Sequence, residues 1–327
     1  WLYTPVSPGF PLALKRSIHD FKPHILHLHL PNISAFWVLV IPWASHVPWV
    51  IQWQSDVVRS VVDRRLALAY RFYRPFERRL LQRAAVVVAS SEPYLETSET
   101  LYPWRRKCRT ISLGIDGNRL KRPDTSGLRW AEEETWLPGK TRILSIGRLT
   151  YYKGHEVLIR AAARMPDAHV LIVGQGDRER ALKREISRLG LNGRVTLLGF
   201  VPDRNIQALL STCDIFCLPS IERTEAFGLV ILEAMAYGKP VVAADVTGSG
   251  MGWIIRHEKT GVLVPPRDPA ALADALLSLA HDSGLRRLLS REALKRFEDW
   301  FQIDEVAEKI HDLYRDVLSC RDQSDQG

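Results

Sequence analysis

The amino-acid sequence predicts an α/β fold with two Rossmann-like domains, and two observations carry this prediction. Short runs of β-branched and apolar residues alternate with helical patterns, which is typical of parallel strands joined by helices. Six such runs lie in the second half, the full strand number of a doubly wound sheet, whereas the first half has four. The predicted strands of the second half are Arg142–Ile146, His169–Val173, Val195–Leu198, Ile215–Leu218, Pro240–Ala243 and Val262–Val264. Those of the first half are Ile25–Leu30, Val50–Trp53, Ala85–Ala89 and Thr110–Leu113.

The domain organisation follows from where turn-forming residues cluster. The segment Gly114–Lys140 contains several glycines and prolines and an acidic run, so we interpret it as an interdomain connection. We place a first domain at residues 1–120, a second at 121–300 and a C-terminal helix at 301–327, which we expect to pack back on the first domain. Because a matching six-stranded first domain needs further strands before residue 25, we expect the first domain to be incomplete in this chain.

Composition indicates a soluble globular protein with one strongly basic region. Hydrophobic residues make up 46% of the 327 residues and charged residues 25%, and the net charge is +8. Residues 1–120 hold 16 Lys/Arg and 8 Asp/Glu, so they carry the whole excess. Much of it lies between Arg59 and Arg83, where arginines alternate with apolar residues. We favour an amphipathic helix on an anionic membrane surface over a solvated helix face; nucleic acid is disfavoured because no recognition motif accompanies the charge.

Two other features have plain structural interpretations. The uncharged stretch Pro31–Ser55 contains Pro42 and Pro48, which would break a membrane-spanning helix, so a short helix, a loop and a buried strand are predicted. The four cysteines are scattered and lack nearby metal ligands, and we expect buried free thiols, with Cys213 and Cys217 on one side of a strand. No signal peptide is visible, which favours a cytoplasmic location.

The segment Glu225–Pro240 carries the strongest chemical signal. Gly228 predicts a helix start and Gly238 its end. The free amides at the start of such a helix bind phosphate. Glu225 precedes the helix and Glu233 lies about two turns further along, so one carboxylate can hold sugar hydroxyls and the other ribose hydroxyls. On spacing alone, a surface glutamate beside a core-adjacent glutamate is the favoured explanation of the pair.

The whole string, Glu225-Ala-Phe-Gly-Leu-Val-Ile-Leu-Glu233 followed by Ala-Met-Ala-Tyr-Gly-Lys-Pro, resembles the signature of the GT4 family of retaining glycosyltransferases, which have the GT-B fold of two facing Rossmann-like domains. The resemblance implies that Arg148 and Lys153 grip the donor diphosphate and, with Glu225, carry catalysis. A fork-shaped guanidinium and a compact ammonium suit a leaving diphosphate, without a metal or other cofactor. It also implies these donor-binding residues: Gly147, Gly174, Gly176, Phe200, Val201, Phe227, Gly228, Leu229 and Glu233.

The first half also resembles the family, most closely members from polysaccharide and O-antigen assembly. The matching segments place His29, Gln54 and Asp56 on the acceptor or sugar side. His27 and His29 point to one face of a strand, where packed histidines are favoured over a metal pair. The family usually has a histidine at the position of Gln54, and glutamine keeps hydrogen bonding but cannot take a proton.

The resemblance implies transfer of a sugar from a nucleotide-sugar donor, with GDP-mannose favoured, to a lipid-linked glycan acceptor, at the inner face of the bacterial plasma membrane. A catalytically inactive scaffold for glycan assembly is the alternative that Gln54 and the incomplete first domain favour. A sugar-nucleotide epimerase of similar fold is a third hypothesis, against which the Glu225–Glu233 string speaks. A dehydrogenase is disfavoured because Gly174 and Gly176 form a lone glycine pair without the third glycine of a dinucleotide fingerprint.

Overall fold

The protein divides into two compact units in a computed structural model, which describes residue 7 and residues 9–57, 64–118, 120 and 123–324. The first unit comprises Trp1–Ser112 and Ala307–Gly327, and the second comprises Leu113–Val306. The chain therefore passes to the second unit at residue 113, a few residues before the predicted boundary.

The first unit is built on a four-stranded parallel sheet in the order β1-β2-β3-β4. Every residue of β2 is buried, because this strand is covered on both faces. Such strands are mostly apolar along their whole length. Its strands are β1 (Leu26–Leu30), β2 (Trp49–Trp53), β3 (Val86–Ala89) and β4 (Cys108–Thr110). Its helices are α1 (Phe10–Phe21), α2 (Arg64–Arg83) and α3 (Glu92–Thr97), with 3-10 turns at Ile33–Leu39, Pro42–His46 and Tyr102–Lys107.

Two predictions for this unit need correction. The fourth strand lies two residues earlier than predicted, because it pairs with β3 from Cys108 to Thr110. The stretch Pro31–Ser55 forms two 3-10 turns before β2, where a short helix and a loop were predicted. Among the described residues, no helix is long and apolar enough to cross a membrane. Arg59 lies outside the described residues, so only the part of the basic segment from Arg64 onward is seen as helix.

The second unit contains all six predicted strands in one parallel sheet. The strand order is β10-β9-β8-β5-β6-β7, so the direction of strand addition reverses between β5 and β8. The strands are β5 (Thr141–Ile146), β6 (Ala168–Val173), β7 (Val195–Gly199), β8 (Ile215–Leu218), β9 (Val241–Ala244) and β10 (Gly261–Val264). The helices are α4 (Thr125–Arg129), α5 (His155–Ala162), α6 (Glu179–Arg188), α7 (Asp203–Thr212), α8 (Leu229–Ala236), α9 (Met251–Ile254), α10 (Pro269–His281) and α11 (Ser283–Trp300).

Hydrophobic clusters cover both faces of this sheet, and they separate the two cysteines that were expected to share a side. Cys213 lies in the cluster with Leu144 and Phe216, whereas Cys217 lies in the other cluster with Ile143 and Ile215. The thiols of Cys108, Cys213 and Cys217 are free and buried, but Cys320 is exposed, contrary to the prediction. Burial raises the pKa of the Cys213 thiol to about 12, so this thiol is unreactive at neutral pH.

The segment predicted as an interdomain connection is largely part of the second unit. Asp124 caps α4 by accepting from the Gly127 amide, and the helix continues as a wider turn through Trp130–Thr135. Ala131 and Trp136 are buried in the same cluster as α8, and the Trp136 indole donates to Thr212 at the end of α7. Glycine and proline content alone therefore led to a wrong interpretation, because a capped helix and a tryptophan anchor decide the structure here.

The C-terminal helix α12 (Ile303–Ser324) begins in the second unit, and from Ala307 onward it belongs to the first. In the first unit its Tyr314 hydroxyl lies 2.5 Å from Nδ1 of His27 on β1. The two rings also meet edge to face, with centroids 5.7 Å apart. This contact attaches the helix to the edge strand of the first sheet.

Candidate active site

The predicted catalytic residues of the second unit follow β5 and β8, the strands at which the sheet order reverses. Ligands of open α/β sheets bind at the carboxyl ends of strands at such a switch point. Gly147 and Arg148 directly follow β5, and Lys153 lies in a 3-10 turn, Tyr151–Lys153, before α5. Glu225 lies between the end of β8 and the start of α8.

Lys153 and Glu225 form a close ion pair. Lys153 Nζ lies 2.5 Å from Glu225 Oε2, and each side chain is only 11% exposed. The Ser220 hydroxyl donates to the same carboxylate oxygen at 3.1 Å, and the Ser249 hydroxyl donates to the Glu225 carbonyl at 2.5 Å. Burial of both charges makes their attraction strong but also makes an unpaired partner costly. The carboxylate is therefore held in place from two sides.

Arg148 is linked to this pair through a tyrosine. Its Nη2 donates to the Tyr152 hydroxyl at 2.9 Å, although the arginine side chain is exposed. Lys153 Nζ lies 5.8 Å from the centroid of the same tyrosine ring. Tyr152 thus contacts both cations, and the sequence analysis did not single it out. The only sequence signal was its position directly before Lys153.

Three glycines allow the loops that carry these cations to pack closely. A Cβ at Gly174 would lie 2.0 Å from the Gly147 carbonyl oxygen, and one at Gly176 would lie 2.3 Å from the Leu149 carbonyl oxygen. A Cβ at Gly147 would come within 3.1 Å of the Lys153 side chain. The structure therefore shows Gly174 and Gly176 packing one loop against the other. Their predicted contact with a donor stays a prediction.

Helix α8 starts as the sequence predicts. Gly228 precedes it with φ +87°, a left-handed conformation that favours glycine, and Gly238 follows it with φ +62°. Leu229 is 41% exposed at the first position of the helix. The first amides of any α-helix lack partners within the helix and carry partial positive charge, which suits an anion.

Glu233 lies on the second turn of α8. Burial, and secondly the charge of Asp203 at the start of α7, raise the pKa of its carboxyl. Asp203 begins α7, which follows β7, and Glu233 lies on α8, which follows β8. The structure thus joins Lys153 and Glu225 by direct contact and links Arg148 to Lys153 through Tyr152. Glu233 lies on α8, which begins four residues after Glu225.

Two of the predicted donor-binding side chains point elsewhere. Val201 is 6% exposed and Phe227 is 4% exposed, and both belong to the hydrophobic core of the second unit. The Phe227 ring packs against Trp253 and Phe301. A donor contact at these two positions would therefore involve the backbone, and it stays a prediction. Phe200, by contrast, is 73% exposed next to Val201.

In the first unit, His29 and Gln54 lie together at the ends of β1 and β2. Gln54 Nε2 is 3.3 Å from His29 Nδ1, and the His29 ring stacks on His27 with centroids 5.0 Å apart. This stack confirms that the two histidines share a face. Burial, and secondly His29, lower the pKa of His27 to about 4, so the His27 imidazole is neutral.

Asp56 has a structural role in the first unit. Its carboxylate accepts from the Trp53 indole at 3.0 Å and from the Ser98 hydroxyl at 2.7 Å, and its amide donates to the Tyr94 hydroxyl. These contacts join β2, α3 and the segment after it. Asp56 is therefore engaged in holding the fold, which leaves His29 and Gln54 as the more open of the three predicted sugar-side residues.

No group of three or more His, Cys, Asp or Glu side chains is arranged to hold a metal ion in the part of the chain that the structure describes. The cations at the switch point supply positive charge where a metal would otherwise be needed. That the reaction needs no metal stays a prediction.

Comparison with known families decides the identity of the fold. The family described as glycosyl transferases group 1 matches residues 129–296, and a glycosyl transferase 4-like domain matches residues 1–114. This chain is a group 1 glycosyltransferase. The α/β class with two parallel-sheet units, predicted from the sequence, is thereby confirmed as that of GT-B glycosyltransferases.

Individual relatives of this glycosyltransferase align over most of its length. It is 34% identical over 298 residues to the D-rhamnosyltransferase WbpZ of Pseudomonas aeruginosa, covering 90% of this chain and 74% of the relative. It is 29% identical over 274 residues to the O-antigen chain mannosyltransferase C of Escherichia coli, covering 83% and 70%. The sucrose-phosphate synthase structure from Thermosynechococcus elongatus superposes with a TM-score of 0.77 at 26% identity, covering 97% and 81%.

A further solved structure shows the same fold. The Anabaena protein HepE, in complex with UDP, superposes with a TM-score of 0.75 at 22% identity, covering 94% of this chain and 82% of that protein. The glycosyltransferase fold therefore extends over both units.

Proposed function

We propose that the chain moves a hexose from GDP-mannose to a lipid-linked glycan during synthesis of a cell-surface polysaccharide, with retention of the anomeric configuration. The buried pair of Lys153 and Glu225 beside Arg148, at the switch point of a six-stranded sheet, carries this proposal. The names of the relatives support the substrate class, since one is a D-rhamnosyltransferase and another an O-antigen chain mannosyltransferase. HepE was solved with UDP, which supports a nucleoside diphosphate as the group bound.

The proposed reaction exchanges one bond for another at the anomeric carbon. The bond from this carbon to the donor phosphate oxygen breaks, and a bond to the acceptor oxygen forms on the same face of the sugar. The acceptor hydroxyl loses its proton to the leaving phosphate. We assign no covalent nucleophile, because the departing diphosphate itself takes the proton.

The residues of the second unit have distinct parts in this reaction. Lys153, Arg148 and the start of α8 stabilise the negative charge that grows on the diphosphate as the bond breaks. Glu225 orients the sugar by accepting from its hydroxyls, and Glu233 holds the ribose. Before the donor binds, Glu225 neutralises Lys153, so the donor phosphate takes over part of that attraction.

The test is transfer of radiolabel from GDP-mannose to a bacterial lipid extract. Lys153→Ala and Glu225→Ala should each lower transfer about 100-fold or more, because each removes a group that acts on the reacting charges. The matched controls are Lys183→Ala and Glu179→Ala, which break a 2.7 Å ion pair on the exposed surface of α6. Controls and wild type should agree within about twofold.

Two results would contradict the proposal. Near wild-type transfer by both Lys153→Ala and Glu225→Ala would remove the assigned roles. A wild-type chain that neither binds nor releases nucleotide, when UDP-, GDP- and dTDP-sugars are screened by ligand-observed NMR, would favour the inactive scaffold instead.

A lipid-linked acceptor needs the enzyme at a membrane, and one face of the first unit suits an anionic bilayer. The one acidic residue in the sequence of helix α2, Glu77, is buried, and the exposed charges among its described side chains are Arg71, Arg74, Arg78, Arg79 and Arg83. The 3-10 turns at Ile33–Leu39 and Pro42–His46 adjoin α1 and α2. Exposed large apolar side chains on these elements are Leu12, Phe21, Trp37, Trp43, Phe72 and Phe76. A basic helix together with exposed apolar and aromatic side chains is typical of proteins that bind an anionic membrane surface.

Vesicle flotation tests this surface. The chain should float with vesicles of equal phosphatidylglycerol and phosphatidylcholine, and less with phosphatidylcholine alone. Arg78→Glu/Arg79→Glu and Trp43→Ala/Phe72→Ala should each lower the bound fraction several-fold. Arg184→Glu/Arg287→Glu, exposed arginines of the second unit, and Tyr102→Ala, 67% exposed in the first, are the controls. Equal loss with the controls would rule out this face.

A further inference from the structure

Two adjacent tyrosines precede Lys153, and each accepts a hydrogen bond from an arginine. Arg148 donates to the Tyr152 hydroxyl at 2.9 Å, and Arg267 donates to the Tyr151 hydroxyl at 2.9 Å. Arg267 also forms an ion pair with Glu222 at 3.1 Å. In sequence, Arg267 is remote from Arg148 and Lys153. The two tyrosines thus bind arginines from different loops. Tyr152 binds Arg148 of the loop after β5, and Tyr151 binds Arg267 of the loop before α10.

We propose that Tyr152 is a positioning residue for the donor diphosphate, which acts by fixing the guanidinium of Arg148 beside the ammonium of Lys153. This inference rests on the proposed function, because it needs a diphosphate at those two cations. It adds a residue that the sequence motifs did not include.

The turn that carries Tyr152 is fixed to the segment after β8 by two contacts. The Ile221 amide donates to the Tyr152 carbonyl at 2.8 Å, which attaches the turn to the segment after β8. Next to Lys153, Gly154 packs so closely that a Cβ would lie 2.0 Å from the Pro219 carbonyl oxygen. The turn therefore cannot shift without moving the end of β8. A side chain mounted on it has a fixed position relative to Glu225.

The benefit of such an anchor follows from the exposure of Arg148. A long exposed side chain samples many rotamers, and ordering it upon ligand binding costs entropy. A hydrogen bond to a fixed hydroxyl selects a smaller set of rotamers before the ligand arrives. Because the Tyr152 ring also lies 5.8 Å from Lys153 Nζ, the two cations are kept near each other despite their repulsion.

The experiment compares two hydroxyl deletions on neighbouring rings. Tyr152→Phe keeps the ring beside Lys153 and removes only the acceptor for Arg148. We expect the dissociation constants for GDP, UDP and inorganic pyrophosphate, measured by calorimetry on the full chain, to rise about five- to tenfold for the ligands that the wild type binds. Tyr151→Phe is the matched control, since it removes the acceptor for Arg267, and it should change them less than twofold.

A double-mutant cycle separates positioning from a general loosening of the turn. In the Arg148→Ala background, Tyr152→Phe should change the dissociation constants less than twofold, because there is no guanidinium left to position. Equal melting temperatures of the two phenylalanine variants would show that the fold is kept.

Several results would overturn the inference. They are unchanged affinity in Tyr152→Phe, equal weakening in Tyr151→Phe, or a full effect of Tyr152→Phe without Arg148. If these occur while Lys153→Ala still abolishes nucleotide binding, only the role of Tyr152 fails. If the wild type binds none of the three probes, the proposed function and this inference fail together.

Discussion

At the scale of single residues, Glu77 of the first unit is a titratable group in an unusual place. Its side chain is 1% exposed, and neither carboxylate oxygen has a hydrogen-bond partner. Burial, and secondly the charge of Asp56, raise the pKa of Glu77 to about 7, while Arg74 opposes the shift. A carboxyl in such a place is most stable when protonated.

Glu77→Gln should therefore stabilise the chain, and more so at higher pH. The folded-state pKa lies above the ordinary value of 4.5, so the stability that protonation provides is complete below pH 4.5 and is lost as the pH rises through 7. Glutamine cannot ionise. The free energy of unfolding of Glu77→Gln should therefore exceed that of the wild type by up to roughly 3 kcal/mol at pH 8 and by little at pH 4.5.

Urea unfolding at the two pH values measures this difference. Glu298→Gln, an exposed position on α11, is the control and should leave the free energy of unfolding unchanged within about 0.5 kcal/mol. A loss of stability in Glu77→Gln at pH 8 would show that the ionised carboxylate has a partner in solution.

At the scale of secondary-structure elements, the loops after β5 and β6 depend on glycine because backbone meets backbone. A Cβ at Gly176 would lie 2.3 Å from the Leu149 carbonyl oxygen, a distance that requires one loop to move. Gly176 has no positive φ, so the obstacle is contact rather than backbone conformation.

Gly176→Ala should lower the free energy of unfolding by about 2–4 kcal/mol and weaken nucleotide binding at least tenfold, because the displaced loop carries Arg148. Gly9→Ala is the matched control, since no atom lies within 4 Å of its added methyl group. Thermal unfolding and calorimetry of both variants provide the comparison. Wild-type nucleotide affinity in Gly176→Ala would mean that the loops do not need this packing.

Elements with strong local patterns were predictable from the sequence, and those determined by distant contacts were not. All six strands of the second sheet and the limits of α8 follow from apolar runs and from Gly228 and Gly238. The helical segment Thr125–Thr135 was not predicted, because it packs on α7 and its Trp136 meets Thr212 and His169, all remote in sequence. The burial of the Val201 and Phe227 side chains was likewise not predicted, since a motif does not show which face of the chain meets the core.

At the scale of the whole molecule, buried histidines should make the protein acid-sensitive. The pKa values of His27, His155 and His169 are each lowered to about 4, in every case mainly by burial. These imidazoles are neutral in the folded chain but take up protons on unfolding below pH 6.5. Stability is therefore complete above pH 6.5 and is lost as the pH falls through about 4.

The free energy of unfolding, measured in urea, should decrease as the pH falls from 7 to 4.5 with a slope of up to about two protons, because the three histidines contribute about three and Glu77 subtracts about one. His169→Gln should lower that slope by about one proton, because glutamine keeps an acceptor for the Leu137 amide but does not titrate. A slope unchanged by this variant would show that His169 is accessible to protons in the folded state.

The sequence by itself determined the α/β class, the strands of the second sheet and the identity of Arg148, Lys153, Glu225 and Glu233 as candidates, because period, turn residues and motif spacing are local properties. Only the tertiary structure decided that Lys153 pairs with Glu225, that Tyr152 holds Arg148 and that Asp56 is occupied by Trp53 and Ser98. The ion pair of Lys153 with Glu225 and the bond of Ser98 to Asp56 depend on which loops each sheet brings side by side, and such a contact has no signature in either segment alone. The bonds of Arg148 to Tyr152 and of Trp53 to Asp56 lie within one segment, but the physical reason is similar: the sequence does not show which side chains of a loop turn toward each other until the loop is packed on the sheet.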